Sequence, residues 1–177
     1  MRQKVTAQRL EEFMKALGSG ATEPTRVYLV GGASSVLLGW RDATIDVDLK
    51  LVPENDQILR LLPALKESLH LNIELASPDD FIPQLPGWQE RSRFIRQEGK
   101  LTFLHYDFYA QALAKIERDH GIDRSDVGDM IKRKLIQPSR LLELFSQIEN
   151  QLHRYPALDP ASFRREVESV VESSQDE

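Results

Sequence analysis

The sequence predicts an α+β fold: a mixed sheet of about five strands flanked by helices, followed by a helical C-terminal half. Three observations predict it. Short apolar runs at 27–30, 44–51 and 71–75 read as strands, with segments of helical periodicity between them. Two more strand-like runs, 93–97 and 101–106, flank the turn Glu98-Gly99-Lys100 as a hairpin would. From residue 108 onward the apolar spacing is helical. The expected organisation is an α/β core over 1–107 and a helical region over 108–177 packed on it as a single compact unit.

Each element has a local reason. Over 6–17, Leu10, Phe13, Met14 and Leu17 recur at helical spacing and Gly18 ends the helix. The loop 18–25 leads to a short buried strand at 27–30. The segment 32–38 is expected to be a helix whose small residues Ala33, Ser34 and Ser35 let a ligand approach closely. In 44–51, Asp46 and Asp48 alternate with Ile45, Val47, Leu49 and Leu51, and Pro53 stops the strand. The helix at 54–69 carries the stripe Ile58, Leu61, Leu62, Leu65 and Leu69, with Pro63 as a kink point. Strand 71–75 has Glu74 at its centre, and the proline-punctuated stretch 77–88 reads as a loop. Helices are expected at 108–119, 124–134, 139–152 and 160–171, the last opened by Asp159 as N-cap and Pro160 at the first helical position.

Composition narrows the function. With 41% hydrophobic and 29% charged residues the chain reads as a soluble globular protein, and no apolar run approaches the ~18 residues of a membrane span. The N-terminal MRQKVTAQRLEEF lacks the apolar core of a secretory signal. The absence of cysteine excludes disulfide partners and thiolate metal sites and makes a reducing cytoplasm the expected compartment. A net charge of −5 argues against broad nucleic-acid binding, and the clusters Arg91, Arg93, Arg96 and Lys132, Arg133, Lys134, Arg140 read as solvated faces. His70, His105, His120 and His153 are too scattered to suggest zinc, and no Walker-type or Gly-x-Ser-x-Gly motif is present.

The stretch VYLVGGASSVLLGWRDATIDVDLKL, 27–51, is the chemically informative one. Strand alternation sends Asp46 and Asp48 to the same face, where two like charges need a cation or a shared proton. Hard cations such as Mg²⁺ take oxygen ligands and commonly sit between carboxylates and substrate phosphates. Gly31 and Gly32 offer backbone N–H groups at a strand–helix junction, where phosphate binds. A phosphate cradle beside a carboxylate pair suggests metal-assisted nucleotide chemistry.

The pattern apolar-Gly-Gly, thirteen residues, then Asp-apolar-Asp-apolar resembles the nucleotidyltransferase fold superfamily, the DNA polymerase β-like enzymes. The local version, Gly39-x-Arg41-x-x-Thr44-x-Asp46-x-Asp48, is similar to small bacterial members: the abortive-infection and toxin–antitoxin type nucleotidyltransferases and their uncharacterised relatives. The resemblance implies a nucleotidyltransferase-type sheet with Asp46 and Asp48 as catalytic metal ligands. Glu74 would be the third carboxylate, as ligand or as base for the acceptor hydroxyl, with Asp79, Asp80 and Asp107 as competitors for that role. Gly31 and Gly32 would form the phosphate-binding turn; many members carry Gly-Ser there, and this chain offers Ser34 and Ser35 instead. Arg41 would bind phosphate, unless it bridges to Asp42.

A second resemblance, Lys115-Ile-Glu-Arg118 followed by Asp126-Val-Gly-Asp129, looks like the helical motif of the abortive-infection type enzymes, with DHGI inserted between its halves. It implies that Lys115 and Arg118 reach the triphosphate or the acceptor; a salt-bridged pair of helices involving Asp126 or Asp129 is the alternative. The activity implied is Mg²⁺-dependent transfer of a nucleoside monophosphate from an NTP to a hydroxyl, on an RNA 3′ end or a protein, with two ions in the active complex. A toxin-like role with an antitoxin partner would follow from the same resemblance. The alternative is a nucleotidyltransferase fold that binds nucleotide or protein without turnover.

Overall fold

The computed structural model describes residues 3–118 and 121–175. The chain forms two compact units: Met1–Ser77 with Ser92–Tyr106, and Pro78–Arg91 with Asp107–Glu177.

The first unit is the α/β one. It contains α1 (Ala7–Gly20), β1 (Thr25–Val30), α2 (Gly32–Leu38), β2 (Asp46–Val52), α3 (Asp56–Leu69), β3 (Asn72–Leu75), β4 (Arg93–Glu98) and β5 (Leu101–His105). The strands make one five-stranded mixed sheet in the order β3-β2-β1-β5-β4. β1 runs antiparallel to β2 and parallel to β5, β2 is parallel to β3, and β4 is antiparallel to β5. The hairpin at Gly99 and the helices flanking the sheet agree with the sequence expectation. Thr6 caps α1 by accepting from the Arg9 amide at 3.4 Å, and Asn55 caps α3 by accepting from Ile58 at 3.2 Å. The core joins Leu10, Phe13 and Leu17 of α1 and Ile58 of α3 to Val27, Leu29, Val47, Leu49, Ile73 and Phe103 of the sheet. This explains the alternation in β2: its odd-numbered residues are buried while Asp46 and Asp48 occupy the opposite face.

The second unit is helical: α4 (Trp88–Arg91), α5 (Phe108–Arg118), α6 (Gly121–Lys132), α7 (Pro138–Ile148) and α8 (Pro160–Gln175), with 3₁₀ turns at Pro78–Asp80 and Glu149–Arg154. The segment Pro78–Arg91 differs from the expected loop within the 1–107 core, because its contacts lie with the helices. Arg91 Nη2 meets Asp107 Oδ2 at 2.7 Å, the Tyr155 hydroxyl donates to the Asp79 carbonyl at 3.2 Å, and Trp88 is buried. Asp107 also accepts from the Tyr109 amide at 3.1 Å at the start of α5. Phe145 and Phe163 pack edge to face at 4.9 Å between α7 and α8, and Asp159 opens α8 by accepting from the Ala161 amide at 3.1 Å. Among the described residues no helix is long and apolar enough to cross a membrane.

Candidate functional site

The parallel register of β2 and β3 sets Asp46 opposite Asn72 and Asp48 opposite Glu74. Val47, Leu49 and Ile73 are buried on one face of these strands, so period-two alternation leaves Asp46, Asp48, Asn72 and Glu74 together on the other. Three carboxylates on one small patch repel one another. Asn72 offsets this directly: its Nδ2 donates to Asp46 Oδ1 at 2.5 Å and to Glu74 Oε1 at 2.9 Å. Asn72 was not singled out from sequence, because its place beside Asp46 follows from the strand register alone.

The glycine turn adjoins the same carboxylates. Val30, the last residue of β1, pairs with Asp48. Gly31 then adopts φ 65°, ψ −128°, a conformation open to glycine, and a Cβ on it would stand 3.8 Å from Asp48 Oδ2. Gly32 has a steric reason: a Cβ there would fall 2.1 Å from Thr44 Oγ1 and 3.3 Å from Arg41 Nη1. Gly31, Gly32, Arg41, Thr44 and Asp48 therefore converge. Packing of Thr44 accounts for Gly32 by itself, whereas packing gives no reason for the acidic cluster.

Ser34 and Ser35 are buried and turned inward. Ser34 Oγ donates to the Leu29 carbonyl at 3.3 Å and lies 2.9 Å from His105 Nδ1; Ser35 Oγ donates to the Gly31 carbonyl at 3.2 Å. Both hydroxyls brace the turn. Burial, reinforced by the Arg93 charge, lowers the His105 pKa from its ordinary 6.5 to about 4, so the imidazole is neutral near pH 7.

The second motif lies within the helical unit. Lys115 Nζ is buried and reaches Asp126 Oδ2 at 2.8 Å and Asp123 Oδ1 at 3.5 Å, while Arg118 Nη2 meets Asp123 Oδ1 at 2.8 Å. Burial alone would raise the Asp123 pKa, but the Arg118 hydrogen bond and the Lys115 and Arg118 charges outweigh it and hold the carboxyl below its usual value. This is the salt-bridged arrangement between α5 and α6 that the sequence allowed. Asp123 is an additional member, visible only once the helices are placed. Asp129 follows on α6, half-buried. Asp119 and His120, the first half of the DHGI insertion, lie outside the described residues. Of the competing carboxylates, Asp107 is engaged by Arg91 and the start of α5, and Asp79 and Asp80 belong to the Pro78–Asp80 turn.

Among the described residues no three acidic or histidine side chains converge closely enough to hold a metal ion by themselves. The carboxylates therefore do not form a closed metal cage. Asp46 and Asp48 do have the donor chemistry that Mg²⁺ takes when waters and substrate phosphates supply its other ligands. Comparison with family models, with curated proteins and with solved structures finds no match to this chain.

Proposed function

We propose that the α/β unit is a nucleotidyltransferase acting on an NTP, with Asp46, Asp48 and Glu74 as its acidic centre and the Gly31–Gly32 turn as its phosphate seat. The observation that carries this reading is the gathering of three carboxylates on one face of β2 and β3, with Asp48 against Gly31. Asp46 and Asp48 would hold Mg²⁺ that arrives with the triphosphate. Bound there, Mg²⁺ would neutralise phosphate charge and favour departure of pyrophosphate. Arg41, whose Nη1 lies against Gly32, would clamp a phosphate oxygen through its planar fork. Glu74, exposed and opposite Asp48, would take the proton of the acceptor hydroxyl. Ser34, Ser35 and His105 keep the turn in shape from beneath. The acceptor would be an RNA 3′ end or a protein hydroxyl, and an antitoxin partner belongs to the same proposal.

One observation favours the alternative of a nucleotide- or protein-binding module without turnover: the Asn72 amide already ties Asp46 to Glu74. A carboxylate pair stabilised by an amide needs no cation to offset its repulsion. Calorimetric titration with each NTP and Mg²⁺, paired with pyrophosphate release in the presence of total RNA, separates the two. Binding with release supports the enzyme, binding without release supports the module, and no binding removes both as nucleotide readings.

A further inference from the structure

The turn between α6 and α7 carries the run Lys132-Arg133-Lys134, and all three residues are exposed. It lies wholly within the helical unit. Helix α6 closes there with two backbone hydrogen bonds: the Leu135 amide donates to the Met130 carbonyl at 2.9 Å, and the Lys134 amide to the Ile131 carbonyl at 3.0 Å. This closure puts one residue just past the helix into the left-handed region, and that residue is Lys134, at φ 59°. Glycine is the usual occupant, as Gly39 is after α2 with φ 91°. Lysine lacks the short polar side chain with which Asn and Asp tolerate the conformation.

The fold itself makes little use of these charges. Among the described residues no carboxylate pairs with the Lys132 or Lys134 ammonium, whereas Arg140 of α7 is held by Glu143 at 2.8 Å. Lys132, in the last turn of α6, answers the carbonyl dipole there, which leaves Lys134 without a structural task. A strained backbone position given to an exposed cation, where glycine would relieve the strain, points to a use outside the fold. Charge and shape choose the partner. The chain carries −5 overall, so its acidic remainder repels a duplex laid across a broad face, while a single strand bends to touch one turn. An anionic membrane would engage apolar side chains beside the cations, and the exposed large hydrophobics Ile45, Leu75, Phe81 and Phe94 all lie elsewhere in the sequence. Residues 129–137 include no aromatic on which a base could stack.

We infer that the α6–α7 turn is a docking surface for single-stranded nucleic acid, held through its phosphates by Lys132, Arg133 and Lys134 without base preference. The surface is independent of the nucleotide reading, since it serves an enzyme and a binding module alike.

The test is fluorescence anisotropy of a labelled, mixed-sequence RNA dodecamer titrated with the full chain. Two or three phosphate contacts predict an affinity that falls about 7- to 20-fold between roughly 50 and 200 mM salt. A DNA strand should bind equally and the duplex more weakly. Lys134→Gly removes one contact and relieves the backbone. It should therefore raise the melting temperature by a few degrees while weakening binding and flattening the log–log salt slope by about 0.7. Lys132→Gln should flatten the slope by a similar amount. No binding by the wild-type chain at about 100 μM and the lower salt would overturn the assignment. So would undiminished binding by the Lys132→Gln/Lys134→Gly double variant, or tighter binding of the duplex. Displacement of the strand by polyglutamate or by phosphatidylserine vesicles more effectively than by unlabelled RNA would overturn it in favour of an acidic protein or a membrane.

Discussion

Asp46 and Asp48 sit on a strand whose other face is core, so their cost must be offset locally, and the Asn72 amide supplies part of that offset. Asp46→Asn keeps the shape of the side chain and an oxygen for Asn72, and relieves repulsion. It should change unfolding free energy by no more than ~1 kcal/mol in urea titration while abolishing nucleotide transfer. Loss of folding with activity retained per folded molecule would make Asp46 structural. Lys115 behaves differently. Its ammonium is buried against Asp126 and Asp123, so Lys115→Ala removes the cation 2.8 Å from buried Asp126 and one of the two cations on Asp123, and should cost about 3–5 kcal/mol, a large drop in melting temperature. Little thermal change with a large fall in NTP affinity would instead assign Lys115 to the nucleotide.

His105 gives a pH signature with a definite sign. Its folded pKa of about 4 lies below the ordinary 6.5, so between these values the unfolded chain binds a proton that the folded chain refuses. Stability from this group is complete above pH 6.5 and declines as pH falls toward 4, by up to ~3 kcal/mol. Replacing His105 by Asn, which retains a polar group near Ser34, should flatten that part of the stability–pH curve. An unchanged acid slope in the variant would show that another group controls it.

At the scale of elements, the β1–α2 turn and the start of β2 are interlocked through Gly32 and Thr44. The Thr44 backbone is fastened in turn, its amide donating to the Val5 carbonyl at 2.9 Å and its carbonyl accepting from Val5 at 2.7 Å. Gly32→Ala forces a methyl against Thr44 and should destabilise by about 1–3 kcal/mol in denaturant unfolding, without any ligand present. A neutral result would mean that the turn relaxes easily and that Gly32 is needed only for ligand approach. Elements of this kind were largely legible in the sequence. Apolar periodicity and the Asp159 cap are local signals, and they place most helices and strands within a few residues of the observed bounds. Pro78–Arg91 was not legible: its prolines announce a loop, whereas its attachment depends on Asp107 and Tyr155, far along the chain.

At the scale of the molecule, the mixed five-stranded sheet and the helical second half were readable, but the strand order was not. No local signal says that β5 inserts beside β1 or that β3 runs parallel to β2, and those pairings decide which side chains meet. Asp46 and Asp48 could be placed on one face because they stand two positions apart on a strand, with Val47 between them. Glu74 and Asn72 join them only through register, and Ser34 meets His105 across 71 residues of sequence. The gathered carboxylates raise one question above the others, whether nucleotide chemistry takes place on them. The most direct measurement is pyrophosphate release from each NTP with Mg²⁺ and total RNA, comparing the wild-type chain with Asp48→Asn, both verified as folded. Release by the wild type and its loss in the variant is the expected result. No release and no NTP binding by the wild-type chain, or equal release by the variant, would contradict the assignment of a nucleotidyltransferase centre to Asp46, Asp48 and Glu74.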